Sequence, residues 1–346
     1  MVDLIFKKPK IFIIILLIIF KFFAKNGKES NPKISIFLPI YNMENYINKT
    51  LQILQNQTLK DIEIVAVNDY SQDKTYEILK SFSLQDKRIK IINNTKNYGL
   101  LYSRAMGIIH SSGEYLINLD PDDELKDDNA LEYLYYKIKN SSVDIISYSF
   151  LEKSSMKTIN LCGESDKIII QPKLLELMYN DYPDLLIWNK LIKRDIFLKA
   201  YKLFENYIYY KRWNYHEDDI WALLVHKVAS SKLCVHKLIY IYNNNINKMS
   251  LMKNKECLIQ YINVIYRFEM RRKILNDSIY YKYLGKQCES LANHINYSSY
   301  FRKFIRTSNE LKNLTFYNLN KCVNDYNIST NKKKMIINLI NTFNYF

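Results

Sequence analysis

A doubly wound, mainly parallel α/β sheet flanked by helices is the fold class this sequence predicts, and three observations predict it. From residue 34 onward, short runs rich in Ile and Val alternate with amphipathic stretches. The spacing leaves room for a helix between consecutive strands, which calls for right-handed crossovers. Three of the apolar runs end in polar segments carrying acids, and ligands of such sheets sit beyond the carboxyl ends of the strands.

The elements follow in order. "ISIFLP" (34–39), "IEIVAVN" (62–68), "IKIIN" (89–93), "YLINLD" (115–120) and "DIISYSF" (144–150) read as strands. Between the first two, Ile47, Leu51 and Leu54 recur at helical spacing. After the second, Tyr76, Leu79 and Phe82 do the same behind Asp73, a residue suited to capping. Residues 151–250 alternate less regularly and contain "WNKLIKRDIF" (188–197) and "YHEDDIWALL" (215–224). The final hundred residues read as an α-helical C-terminal segment. The expected division is 1–30 as a basic, apolar anchor or signal segment, 31–250 as the catalytic domain and 251–346 as a basic helical region.

Charge separates the ends from the middle. The chain has 50 Lys and Arg against 35 Asp and Glu; residues 251–346 hold 16 against 6 and residues 1–30 hold 6 against 2. The middle is therefore nearly neutral, and the basic ends suit an anionic surface. The run "IFIIILLIIF" (11–20), between "KKPK" and Lys21, predicts an uncleaved signal anchor before a cleaved signal or a soluble helix. The expected location is membrane-associated, single-pass, in the secretory pathway if the source is eukaryotic. Aromatic and basic residues mixed along the C-terminal helices read as core plus solvated face, so no specific nucleic-acid partner is expected. The five cysteines stand singly without a zinc spacing, and free thiols are expected.

The acids carry the chemistry. Asp120 and Asp122 flank Pro121 at a strand end, so both carboxylates can turn toward one hard cation, Mn²⁺ or Mg²⁺, that keeps open positions for phosphates. The plain alternative is an acidic turn capping the next helix. Asp69, ending the second strand, can accept hydrogen bonds from a ribose or a base edge. Arg104 can fork a phosphate or hold the acids in place. Together these residues describe a nucleotide-diphosphate site with a bridging metal.

The stretches "ISIFLPIYNMENYINKTLQILQNQTLKDIEIVAVNDYSQDKT" (34–75) and "NYGLLYSRAMGIIHSSGEYLINLDPDDEL" (97–125) resemble the family 2 glycosyltransferases of the GT-A fold. The resemblance is dense to about residue 125 and sparser to about 248. It implies a nucleotide-sugar donor, usually carrying UDP, and inversion at the anomeric carbon. Pro39, Tyr41 and Glu44 match the family's opening motif and would belong to the donor site with Asp69 and Arg104. Asp120 and Asp122 would be its metal-binding pair, with Asp123 beside the donor sugar. The late "ED" motif falls on "HEDDIW", which makes Asp218 the expected general base, with Glu217 and Asp219 as substitutes. An inverting transfer needs one carboxylate behind the anomeric carbon.

Departures from the family pattern are Tyr70, where Gly is usual, Asn68, where Asp is frequent, and His216 in place of the common Gly before "ED". No Q-x-x-R-W follows that motif and no series of later spans is present in the sequence, which favours addition of one sugar to a glycan, lipid or protein acceptor. Rival readings are an inactive partner subunit, a D-x-D phosphohydrolase and a basic nucleic-acid binder. The phosphohydrolase motif would sit on the first strand and be followed by Thr or Val, whereas here it ends the fourth and is followed by Asp123.

Overall fold

A computed structural model describes residues 31–160, 165–171, 182–208 and 217–243, with isolated positions elsewhere. The expected anchor segment and nearly all of the basic C-terminal region lie outside the described residues. Among the described residues no helix is long and apolar enough to cross a membrane.

The chain runs β1 (Ile34–Ile40), α1 (Ile47–Asn56), β2 (Ile62–Asn68), α2 (Thr75–Gln85), β3 (Ile89–Asn93), α3 (Leu100–His110) and β4 (Tyr115–Asn118). The two-residue β5 (Glu124–Leu125), α4 (Ala130–Ser141), β6 (Ile145–Glu152), β7 (Lys157–Ile159) and β8 (Lys167–Ile170) follow. Then come β9 (Lys190–Lys193), α5 (Arg194–Ile208), α6 (Glu217–Val228) and β10 (Ser231–Tyr242). Among the described residues one sheet holds all the strands, in the order β3-β2-β1-β4-β9-β6-β10-β5, with β7 on β6 and β8 on β10.

The half containing β3, β2, β1 and β4 is parallel throughout, as the alternating pattern predicts. The other half is mixed. β9 enters antiparallel between β4 and β6, separating two strands that are consecutive among those the sequence pattern predicts. Its four residues, Lys-Leu-Ile-Lys, are too short to show a strand period. Burial explains why β1 and β2 read as unbroken apolar runs, because every residue of both is buried and helices cover both faces. Ile36 and Leu38 face a core shared with Leu51, Leu54, Leu134 and Ile138. Phe37 points the other way, against Gly107 of α3 and edge-on to Phe197 of α5 at 5.8 Å.

The parallel strands bring their carboxyl ends to one edge. At the opposite edge, the buried Glu63 of β2 is bound by five donors. It accepts from the Ser35 hydroxyl, Lys90 Nζ at 2.5 Å, the Ser112 amide, Ser112 Oγ at 2.9 Å and the Gly113 amide at 3.1 Å. This ties the turn before β4 onto β1 and β2, and a Cβ on Gly113 would stand 2.6 Å from the Ser35 amide nitrogen. Burial works to raise the Glu63 pKa, but the donors from Lys90, Ser35 and Ser112 outweigh it and hold it below 4.5. The unfolded chain therefore binds the proton more readily, so this contribution is complete above about pH 4.5 and is lost as the pH falls through the lower folded value. Glu63→Ala leaves buried donors unmatched and is expected to cost about 3 kcal/mol at pH 7. Urea midpoints should show that deficit shrinking toward pH 3; an equal deficit at both pH values would contradict it.

The free-thiol expectation needs one correction. Cys234, on β10, is disulfide-bonded, with its partner outside the described residues. Single, widely spread cysteines do not reveal a pairing in sequence.

Candidate active site

Two loops at the carboxyl edge are stitched side by side. The Asp69 amide donates to the Ile40 carbonyl at 2.7 Å, the Asn42 amide to Ser71 Oγ at 3.0 Å and the Gln72 amide to Asn42 Oδ1 at 2.8 Å. The Glu44 amide donates to Asp73 Oδ2 at 3.1 Å, while Glu44 Oε2 accepts from the Lys74 amide at 3.0 Å. Glu44 and Asp73 thus brace the two loops against each other at the start of α2. Glu44, expected to touch a donor, is committed here to the scaffold.

Pro39, Tyr41 and Asp69 do meet in one place. With Ile40, Met43, Asn97, Leu100 and Ser103 they line an open cavity of about 190 Å³. Asp69 is buried, and Oδ1 accepts from Asn94 Nδ2 at 2.8 Å and the Tyr98 amide at 2.9 Å. Oδ2 accepts from the Gly99 amide at 2.8 Å. Gly99 has φ 93°, a conformation that favours glycine, and it turns the chain into α3. Asp69 therefore fixes the start of α3 and shows only its remaining lone pair to the cavity.

α3 delivers Arg104, which is 1% exposed and engaged at every nitrogen. Nε donates to Asn118 Oδ1 at 3.1 Å, and Nη2 to both oxygens of Asp120 at 3.1 Å. Nη1 donates to Glu217 and to Asp218. Of the two roles the sequence allows Arg104, the geometry takes the second: its fork is filled by acids from β4 and α6. Those three carboxylates outweigh the cost of burying the guanidinium and raise its pKa well above the ordinary value. With one cation among three acids, the excess negative charge must be relieved. Burial, with the Asp218 charge beside it, raises the Glu217 pKa well above the ordinary carboxylate range. Arg104 Nη1 is thus shared between the buried Glu217 and the less buried Asp218.

α6 presents its acids unequally. The Glu217 side chain is 2% exposed and Asp219 is buried, whereas the Asp218 side chain is 24% exposed. Their place in the first turn suits negative charge, which the helix N-terminus favours. His216 lies outside the described residues.

Around the D-x-D pair, Asp120 also accepts from Asn118 Nδ2 at 2.9 Å, and its amide donates to the Tyr240 hydroxyl at 3.3 Å. Burial, opposed by Arg104 and reinforced by Asp218 and Asp122, raises the Asp120 pKa. Asp123 turns inward: its Oδ2 accepts from Tyr240 Oη at 2.8 Å and its Oδ1 from the Asn243 amide at 2.7 Å. Asn243 Nδ2 also donates to the Asp122 carbonyl at 3.1 Å. Asp123 thus pins the acidic loop to the end of β10 instead of opening toward a sugar. Trp188 stacks on Tyr240 and Tyr242 at 4.8 and 5.1 Å behind this contact. Glu124 faces Lys49 at 2.5 Å and Lys153 at 3.4 Å, away from the cluster.

The oxygen-only donor set fits a hard divalent cation. Asp120 and Asp122 both keep partial exposure, and no group of three or more potential ligands that could hold a metal ion occurs among the described residues. A cation bound here would keep positions for phosphate oxygens. Tyr240, Asn243, Asn118 and Trp188 support the acids, yet sequence reasoning missed them. In a chain with 30 tyrosines, no local pattern distinguishes Tyr240.

Comparisons with known proteins agree with this architecture. Residues 35–199 match the family described as Glycosyl transferase family 2. An uncharacterized glycosyltransferase, EpsJ of Bacillus subtilis, is 27% identical over 241 residues, covering 68% of this chain and 68% of that protein. Glycosyltransferase GlyA of Streptococcus pneumoniae is 37% identical over 175 residues, which are 48% of this chain but only 25% of that protein. Among solved structures, S. aureus TarS 1–349 in complex with UDP-GlcNAc superposes with a TM-score of 0.59 at 18% identity, covering 90% of this chain and 83% of that one. At that identity the likeness speaks to the GT-A fold alone.

Proposed function

We propose that this chain, whose residues 35–199 match the family described as Glycosyl transferase family 2, moves one sugar from a nucleotide-sugar, UDP-linked, to an acceptor hydroxyl with inversion and with a divalent metal at Asp120 and Asp122. The observation that carries this reading is the convergence on Arg104. Acids from the end of β4 and the start of α6, nearly a hundred residues apart in sequence, meet on one buried guanidinium at the carboxyl edge of the sheet. The UDP-GlcNAc bound by TarS supports a UDP-linked donor for this fold.

Each residue then has a task. Pro39, Tyr41 and Asp69 shape the nucleoside end of the site. Asp120 and Asp122 would hold a divalent cation, which would supply charge to offset the leaving diphosphate. Asp218, the least buried acid of its turn, accepts the acceptor hydroxyl proton as the oxygen attacks the anomeric carbon from the face opposite the diphosphate. The new carbon–oxygen bond forms as the bond to phosphate oxygen breaks, leaving the nucleoside diphosphate. Arg104, which also holds Glu217, aims Asp218. The acceptor is a glycan, lipid or protein.

Asp122→Ala tests the metal assignment. Calorimetric titration of UDP with Mn²⁺ should show binding to the unaltered protein and a loss of at least about tenfold in the variant, with unchanged thermal stability. Equal affinities would place the cation elsewhere.

A further inference from the structure

We propose that Thr50 of α1 and Tyr240 of β10 are positioning residues for the metal pair, which fix the backbone between Asp120 and Asp123 and so set the affinity of the site for its divalent cation. The inference rests on the metal assignment above and deepens it, because both residues lie outside the acidic turn, 71 and 120 positions away from the groups they bind.

The turn closes on itself once, where the Asp123 amide donates to the Asp120 carbonyl at 3.0 Å. Pro121 has no N–H to add. Three further backbone groups are met from outside. The Asp120 amide donates to Tyr240 Oη at 3.3 Å, the Pro121 carbonyl accepts from Thr50 Oγ1 at 2.6 Å and the Asp122 carbonyl accepts from Asn243 Nδ2 at 3.1 Å. The backbone that carries both proposed ligands is thus held by α1 and by the end of β10. Without those contacts the loop would have to be ordered as the cation arrives, and the cost of ordering it would come out of the binding free energy.

Both side chains are placed for this task. α1 buries Ile47, Thr50, Leu51 and Leu54, and Thr50 is the single polar residue among them. A buried hydroxyl is costly unless it finds a partner. In a helix the usual partner is the carbonyl one turn back, here that of Tyr46 at 3.2 Å. The Thr50 hydroxyl has one proton, and the shorter contact, at 2.6 Å, gives it to Pro121. Tyr240 is fully buried, and its ring stacks on Trp188 at 4.8 Å, which fixes where Oη lies. Oη accepts from the Asp120 amide and donates to Asp123 Oδ2 at 2.8 Å, so one hydroxyl spans both ends of the turn. Lys49, next to Thr50, reaches Glu124 beyond the turn, and its side chain is 62% exposed. An ion pair of that kind contributes little.

The test measures Mn²⁺ bound by the purified chain in the presence of saturating UDP, read from the electron paramagnetic resonance of the free ion. Thr50→Val and Tyr240→Phe should each weaken Mn²⁺ about tenfold, the loss that follows when a group supporting a metal ligand is removed. Thr50→Ser, which keeps the hydroxyl, and Lys49→Ala should both stay within about twofold. A residue that merely stabilises the fold would lower the thermal midpoint and leave the Mn²⁺ affinity of the folded protein where it was. Unchanged Mn²⁺ affinity in Thr50→Val, or in a folded Tyr240→Phe, would therefore overturn the proposal. Weakening of equal size in Thr50→Ser or Lys49→Ala would overturn it too, by tracing the effect to packing or to surface charge. Thr50→Val keeps the shape of the side chain, so it decides the matter even where Tyr240→Phe does not fold. Loss of Mn²⁺ in Asp122→Ala beside normal binding in Thr50→Val would leave the metal assignment standing without its clamp. An unaltered protein that binds no Mn²⁺ with UDP would defeat that assignment and the inference with it.

Discussion

Arg104→Met is expected to destabilise the domain by about 3–5 kcal/mol, the largest effect of any single substitution considered, because it strands a group of buried acids without their cation. The same guanidinium is bonded to Asn118, Asp120, Glu217 and Asp218, so its loss also frees the start of α6 from the end of β4. Arg104→Lys should recover only part of this. A lysine keeps the charge but offers a point donor instead of a planar fork, and three carboxylates cannot all be reached from it. The effect is checked by urea unfolding. A double variant, Arg104→Met with Glu217→Gln, should be more stable than the two single changes predict when added, since the second removes an acid that the first left unpaired. Simple additivity would show that Arg104 and Glu217 do not act as a unit. A Met variant as stable as the unaltered protein would show that the cluster does not hold the domain together.

Asp218→Asn carries the largest expected effect on turnover. Removing the general base should lower kcat by roughly 10²- to 10⁴-fold. Donor affinity should persist, because Asp120 and Asp122 are untouched, and stability should hold, because the amide relieves crowding among like charges. Glu217→Gln should behave differently. Glu217 is buried, and burial with the Asp218 charge raises its pKa, so an amide of the same shape that still accepts from Arg104 should lower the rate by less than about tenfold. Steady-state rates with a fixed donor distinguish the two. If Glu217→Gln were the more damaging change, the roles of the two acids would have to be exchanged.

Much of this arrangement is legible in the sequence because parallel strands announce themselves. β1 and β2 are buried on both faces and read as continuous apolar runs, and their polar ends necessarily share an edge. That is why Asp69 and Asp120 can be placed at one edge from the sequence. The direction of each carboxylate is less legible. Asp69, Asp123 and Glu44 carry the right chemistry at the right edge, but hydrogen bonds from Gly99, Tyr240 and Lys74 turn them toward the scaffold. Those donors come from distant parts of the chain or from backbone amides, and neither leaves a local pattern. β9 escapes notice for a related reason, since a four-residue antiparallel insertion makes sense only between β4 and β6. Arg104 is an intermediate case. Its two possible roles are readable, and only the arrival of α6 decides between them.

The central claim, that this domain transfers a sugar from a nucleotide-sugar with a metal at Asp120 and Asp122, is tested most directly by nucleotide release. Purified protein is incubated with a panel of UDP- and GDP-sugars, with Mn²⁺ and with a chelator, and the free nucleoside diphosphate is measured. The account predicts metal-dependent release of UDP from at least one UDP-sugar, abolished by the chelator and by Asp122→Ala. Folded protein that neither binds nor turns over any donor in the panel, with or without metal, would contradict it.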